Sequence, residues 1–370
     1  MLAFYNGTVF TGDRFINGHA VLVSNGMIVA IVPTADLAAD IDRYDLQGNL
    51  LVPAFIDLQL YGGNDLLFSE ALNDEAILAT DAYCVSGGCT RFLLTMATNS
   101  IDVFLKGIEV VKTFLQQNPN SGLLGLHLEG PYINPIKRGA HLLQHIKQPT
   151  LDEVKLLLDK AEGIVKMMTL APEQCSDEVI QLLLDNKVVV SAGHSNATYE
   201  QATAGFNKGI TTATHLFNAM SPLQSRELGM VGAVYDHATA HSSIVCDGFH
   251  TSFAAVRISK KMMQERLFLI TDAVTETREG AYQHVLKDDR YLLPDGTLSG
   301  SALTMIKAVN NCVKYAGIEF DEALRMASLY PARVAQLDGF GKIEEEFKAD
   351  LVILSKERFV KQIYRNNMFL

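Results

Sequence analysis

The sequence predicts a (β/α)8 barrel with a small β-sandwich domain formed by both termini, and three observations lead there. Eight short apolar runs lie between Leu50 and Thr271, most of them separated by a helical segment, and this alternation over some 270 residues matches an eightfold barrel. Four of the runs exit directly into an acid or a histidine: Leu126-His127-Leu128-Glu129, Ser191-Ala192-Gly193-His194, Thr214-His215 and Ile270-Thr271-Asp272. The two ends of the chain instead read as strands and turns. A doubly wound open sheet is the rival architecture, but it gathers its ligand at one switch point. In a barrel all strand C-termini converge on one face, which would unite Glu129, His194, His215 and Asp272 from strands three, five, six and eight.

In order along the chain, residues 1–50 are strand-like, and Asn25-Gly26 between Ala20–Ser24 and Met27–Val32 is a strong hairpin signal. The barrel strands are expected at Leu50–Leu60, Thr90–Ala97, Gly122–Glu129, Val165–Ala171, Val188–Gly193, Thr211–Leu216, Ser243–Asp247 and Leu267–Thr271. Helices are expected at Asp102–Gln117, Leu151–Ala161, Ser176–Asn186, Thr198–Asn207, Ser252–Glu265 and Ser301–Ala316, with Thr150 and Glu153 at capping-box spacing. A last strand, Ala349–Leu354, is expected to close the N-terminal sheet. The expected domains are therefore 1–50 plus 332–370 and, between them, 51–331.

Composition narrows the function. A net charge of −11 without a basic stripe argues against nucleic acid as a partner. Five cysteines, an odd number at spacings that fit no zinc motif, read as unpaired thiols in a reducing, cytoplasmic setting. No apolar run reaches the ~18 residues of a membrane span, and the N-terminus has no leader pattern.

Ligand-type residues at the ends of buried strands are costly unless something binds them. Glu129, at the sharp Gly130-Pro131 exit, with the imidazoles of His194 and His215, makes a donor set for one divalent metal, with Zn2+ the best match and Fe2+, Co2+ or Mn2+ as alternatives. Asp272 reads as a structural cap or as the general base, and His141 equally as a plain surface histidine or as a hydrogen-bond donor to a substrate carbonyl. His127 lies one layer below Glu129 on the same strand face and reads as structural. Arg226 and the segment Asp247-Gly248-Phe249-His250 suggest an anion site on the same face.

The strings Leu128-Glu129-Gly130-Pro131-Tyr132, Gly139-Ala140-His141, Gly193-His194-Ser195, Thr214-His215-Leu216-Phe217-Asn218-Ala219-Met220, Asp247–His250, Thr271-Asp272-Ala273 and Leu298-Ser299-Gly300-Ser301 occur in this order. Together they resemble the N-acetylglucosamine-6-phosphate deacetylases of the amidohydrolase superfamily, from Pro53 to Asp350. The resemblance implies metal-dependent release of acetate from an amino sugar phosphate, with Glu129, His194 and His215 on the metal and Asp272 as acid/base. It implies contact of His141 with the acetyl carbonyl. It also implies contacts of Ala140, Asn218, Ala219, Arg226, Asp247, Gly248, Phe249 and His250 with sugar and phosphate, and of Leu303, Thr304 and Met305 with the acetyl and sugar pocket. A homodimer, with part of the phosphate site from the neighbouring subunit, is also implied. The sequence departs from the superfamily pattern where two-metal members carry His-x-His: here Gln59 and Tyr61 stand, which predicts a single metal. Two further departures are Leu228 in the loop after Arg226, where proline is frequent, and Glu346 at a turn that often has glycine.

Overall fold

The computed structural model describes residues 1–370. Its centre is a ring of eight parallel strands in sequence order: Phe55–Leu60, Cys89–Ala97, Leu123–Glu129, Val165–Leu170, Val189–Ala192, Thr212–Ala213, His241–Ile244 and Leu267–Leu269. Each strand pairs with the next, and the ring closes through a bridge between Leu60 and Ala273. At the closure the Asp272 N–H donates to the Gln59 carbonyl and the Tyr61 N–H to the Ala273 carbonyl, both at 2.9 Å. Barrel closure thus fixes the backbone on both sides of Asp272.

Helices cover the outside. Ser100, Thr150, Ser176, Thr198 and Ser252 each accept the backbone N–H three residues on, at the starts of Ile101–Gln117, Leu151–Ala161, Asp177–Asp185, Tyr199–Asn207 and Phe253–Met263. Such caps stabilise a helix by ~1 kcal/mol each. At Thr150 only half of the expected capping box forms, because the Glu153 carboxylate turns to the Tyr132 hydroxyl and Lys147 instead.

Both termini build a sandwich of two small sheets. One holds Leu2–Tyr5, His19–Ser24, Met27–Pro33 and Asp42–Asp45; the other includes Thr8–Phe10, Leu50–Pro53, Leu351–Leu354 and Val360–Arg365. Phe4, Val21, Ile28, Leu51, Leu351 and Ile353 pack between them. Asn25 and Gly26 both take positive φ in the hairpin turn, as the dipeptide predicts. All five cysteines are unpaired.

The expected strand Leu50–Leu60 is two strands. Pro53 has no N–H to continue the ladder; Ala54 N–H bonds to the Asp350 carbonyl, and the barrel begins at Phe55. The helix expected at Ser301–Ala316 begins at Met305, since Ser301 ends a three-stranded antiparallel sheet of Val285–Lys287, Arg290–Leu292 and Leu298–Ser301. The helix Leu329–Val334 runs through the expected domain boundary at residue 331 and packs on the first and eighth barrel strands. We therefore place the return to the sandwich after Val334.

Asp57 lies inside the barrel, one layer below Gln59. It accepts hydrogen bonds from the Thr271 hydroxyl at 2.5 Å and from the Thr271 and Gln59 N–H groups at 3.2 Å. Burial outweighs these three donors and pushes its carboxyl from 3.8 up to about 7. Between those values the folded chain keeps a proton that the unfolded chain has released, so stability falls as pH rises through that window. At ~1.4 kcal/mol per pH unit the full effect is at most ~4 kcal/mol. Asp57→Asn is expected to remove this slope and to raise Tm by several degrees more at pH 8 than at pH 5. A parallel shift at both pH values in thermal melts would show that Asp57 is ionised throughout.

Candidate active site

The site stands on the C-terminal ends of the strands, where a barrel gathers its functional groups. Glu129 ends the third strand, while His194, His215 and Asp272 follow the fifth, sixth and eighth, and all four are buried. His194, His215 and Asp272 have φ of 47°, 37° and 54°. Left-handed backbone at non-glycine residues costs ~1–2 kcal/mol each and collects at functional sites. Here it turns each side chain off its strand and into one cleft.

The Oε1 atom of Glu129 lies 3.3 Å from His194 Nε2 and 3.1 Å from His215 Nε2, and the two Nε2 atoms are 3.1 Å apart. Four ligands held ~2.0–2.1 Å from a tetrahedral Zn2+ sit roughly 3.3–3.4 Å from one another. The three atoms therefore already have the spacing of ligands around one ion. His194 Nδ1 lies 2.9 Å from the Lys137 carbonyl and must donate to it, which leaves Nε2 with a lone pair. His215 Nδ1 is buried without a partner, so nothing withholds the lone pair of its Nε2. The donor set fits a divalent cation.

His141 is also close, with its Nε2 3.2 Å from Glu129 Oε2, and the carboxylate with His141 and His194 forms a compact group of metal-ligating type. Its tautomer points elsewhere. His141 Nδ1 lies 2.7 Å from the Thr98 hydroxyl, which can donate or accept, and 3.2 Å from the Thr98 backbone N–H, which can only donate; the second contact favours the ring proton on Nε2. Burial pulls this imidazole down to about 4, which keeps it neutral. His141 is thus a neutral N–H donor at the cleft. Gly130 is needed for this arrangement, since with φ of 87° a Cβ there would lie 2.1 Å from the Thr98 hydroxyl.

Asp272 faces the group from the far side. Gln59 Nε2 donates to Asp272 Oδ1 at 2.9 Å and to Glu129 Oε1 at 3.0 Å. The Tyr61 hydroxyl reaches Glu129 Oε2 at 2.5 Å and Asp272 Oδ1 at 3.2 Å. Burial pushes the Asp272 carboxyl up, against the pull of His250 and His215. His250 Nε2 lies 3.4 Å from Asp272 Oδ2, and its Nδ1 is 2.6 Å from Asp247. Burial alone would raise Asp247 as well, but His250 and two backbone N–H groups hold it below its ordinary value.

A cleft of ≈ 260 Å3 opens above this group. Its walls include Ala140, His141, Asn218, Ala219, His250 and Asp272. Arg226 lies in the exposed stretch between Pro222 and Leu228 and does not line the cleft. Gly248 and Phe249 are exposed at the mouth, where the Arg290 guanidinium stacks on the Phe249 ring at 4.4 Å. Leu303 and Met305 are buried and do not line the cleft, nor does Thr304, which precedes the helix Met305–Asn311. His127 is structural as expected, bonded to the Leu58 carbonyl and the Thr169 hydroxyl. The donor roles of Gln59 and Tyr61 escape a reading that asks only whether they ligate metal, and nothing in the sequence marks Thr98.

A model of the amidohydrolase family matches residues 50–369, and a model of the NagA composite domain matches residues 1–51. The chain is 35% identical to an N-acetylglucosamine-6-phosphate deacetylase of Haemophilus influenzae, covering 95% of each. It is 32% identical to an N-acetylgalactosamine-6-phosphate deacetylase of a Shewanella species, over 98% of this chain and 94% of that one. A crystal structure of N-acetylglucosamine-6-phosphate deacetylase from Pasteurella multocida superposes with a TM-score of 0.96 at 33% identity, covering 100% of this chain and 99% of that one.

Proposed function

The chain belongs to the amidohydrolase family, and from that premise we propose that it hydrolyses the acetamide of N-acetyl-D-glucosamine 6-phosphate, giving D-glucosamine 6-phosphate and acetate in amino sugar metabolism. The observation that carries this reading is the convergence of Glu129 Oε1, His194 Nε2 and His215 Nε2 opposite the Asp272 carboxylate. Glu129, His194 and His215 would hold one divalent cation, with Zn2+ favoured by a carboxylate and two imidazoles. Such an ion supplies a Lewis acid that polarises the amide carbonyl and makes water a nucleophile at neutral pH.

The chain's own residues supply the rest. Asp272, as a carboxylate, takes a proton from the attacking water at Oδ2, the oxygen turned toward His250 rather than Gln59. It then hands that proton to the departing nitrogen, which leaves as the amine. His141 Nε2–H donates to the carbonyl oxygen as negative charge develops there. Ala140, Asn218, Ala219 and His250 border the space left for the sugar.

The sugar phosphate needs a cation, and no Lys or Arg lines the cleft of a single chain. Arg226 is exposed outside the cleft, and in a homodimer it could serve the neighbouring subunit's site. The Shewanella relative makes the 4-epimer a second candidate substrate. Acetate release from N-acetylglucosamine 6-phosphate, N-acetylgalactosamine 6-phosphate and unphosphorylated N-acetylglucosamine tests the reading. Preferred turnover of the first is expected. Preference for the second would move the assignment to the epimer, and equal turnover of the unphosphorylated sugar would remove the anion site.

Tyr61 joins the carboxylate that would hold the cation to the one that would move protons. Tyr61→Phe deletes the hydrogen bond to Glu129 and the hydroxyl beside Asp272, and is expected to lower kcat or metal affinity by ~10–100-fold, the usual cost of losing a ligand's supporting partner. A titration of metal against activity separates the two effects, and a variant unchanged in both would reduce Tyr61 to packing.

A further inference from the structure

Behind the cleft lies a second, smaller cavity of ≈ 40 Å3, lined in part by Leu67, Ala97, Val274, Tyr282 and His284. It adjoins the cleft, with Tyr61, Glu129, Ala140, His141 and Ser299 lining both. One water requires ~10–15 Å3 of such volume, so the chamber takes about three water-sized groups. Away from the cleft its lining is mainly apolar, with Leu67, Ala97 and Val274 beside Ser69. The outer wall is fixed by Tyr282, whose hydroxyl donates to the Thr98 carbonyl at 2.6 Å, and by His284, bonded to the Ser299 hydroxyl at 2.9 Å. Burial pulls His284 down to about 4, so this wall is uncharged at neutral pH.

We propose that this chamber is the acyl pocket, which admits the methyl of an acetamide and rejects longer acyl groups. The inference rests on the deacetylase reading above and goes on to say what limits its substrate. The carbonyl must lie at His141 Nε2, at the junction of chamber and cleft. Its carbon carries two other substituents, the nitrogen bearing the sugar and the acyl chain. A hexosamine phosphate far exceeds the chamber and needs the larger, more polar cleft. The acyl methyl is the only part of the substrate both small and apolar enough to enter. Leu67, Ala97 and Val274 then set the length of chain admitted, by contact rather than by chemistry.

The test uses the metal-loaded enzyme with N-formyl, N-acetyl, N-propionyl and N-butyryl glucosamine 6-phosphate, measuring release of the free amine. In a hydrophobic pocket one methylene is worth ~10–200-fold in discrimination. The unaltered enzyme is expected to lose at least ~10-fold in kcat/KM from acetyl to butyryl. Leu67→Ala and Val274→Ala should each raise the butyryl-to-acetyl ratio by ~10-fold or more. Ala97→Val fills the chamber and should lower acetyl turnover while sparing formyl. Butyryl turnover within about threefold of acetyl in the unaltered enzyme overturns the proposal without any variant. So does an unchanged acyl order in variants that keep their metal content and Tm. Turnover of none of the four amides by the unaltered enzyme is a different result, since it removes the deacetylase reading itself and the acyl pocket with it.

Discussion

Asp272→Asn is expected to yield a folded protein that binds metal and sugar phosphate and turns over ~10²–10⁴-fold more slowly, the range that one positioned acid/base contributes. The geometry makes this substitution unusually clean. Gln59 Nε2 donates to Oδ1, which asparagine keeps as an acceptor, and barrel closure holds the backbone on either side. What changes is Oδ2, the oxygen facing His250, which becomes an amide unable to take a proton. The charge state sets the sign of the pH dependence. A proton acceptor must be ionised, so kcat should fall as pH drops through the Asp272 pKa, which burial raises and a bound cation would lower. The asparagine variant should lose this acid limb along with its rate. Measured together, kcat against pH, metal content and substrate affinity by calorimetry decide the matter. A variant with near-normal kcat would take Asp272 out of proton transfer.

The residues in this prediction were legible in the sequence because they break a pattern. Glu129, His194, His215 and Asp272 are polar groups at the ends of apolar runs, and the architecture follows from the number and spacing of those runs. The chamber residues break no pattern. Leu67, Ala97 and Val274 are apolar residues near strand ends, indistinguishable in sequence from the packed core around them. The helix Asp74–Ser86 is hard to see in the sequence for a related reason. It buries Ala76, Ile77, Thr80 and Cys84, a set too mixed in polarity to form a clear apolar stripe. The three-stranded sheet from Val285 to Ser301 has mostly exposed or half-buried strands without the alternation that marks a half-buried sheet. Glu346 shows the converse case. It stands where the family resemblance leads one to expect glycine and adopts a φ of 69°, a left-handed backbone that is strained for a residue with a Cβ.

The second large effect separates two ways of choosing three ligands from four residues. Glu129 and His194 belong to either choice; the third ligand is His215 or His141. Distance alone does not decide, since Nε2 of each lies within 3.2 Å of a Glu129 oxygen. The proton does. A backbone N–H aimed at His141 Nδ1 favours the ring hydrogen on Nε2, whereas no such donor constrains His215. His215→Ala is therefore expected to purify without metal. His141→Ala should retain about one ion per chain and lose ~10²–10³-fold in kcat, the cost of removing one donor to a developing oxyanion. Stability should follow the metal. An ion present at 1,000 times its dissociation constant stabilises the native state by ~4 kcal/mol, on the order of 5–10 °C in Tm for a chain of this size. Chelation should then destabilise the native protein and His141→Ala by that amount and leave His215→Ala unmoved. If His141→Ala emptied the site and His215→Ala kept it, the tautomer drawn from Thr98 would be reversed, and His141 would be a ligand rather than the carbonyl's donor.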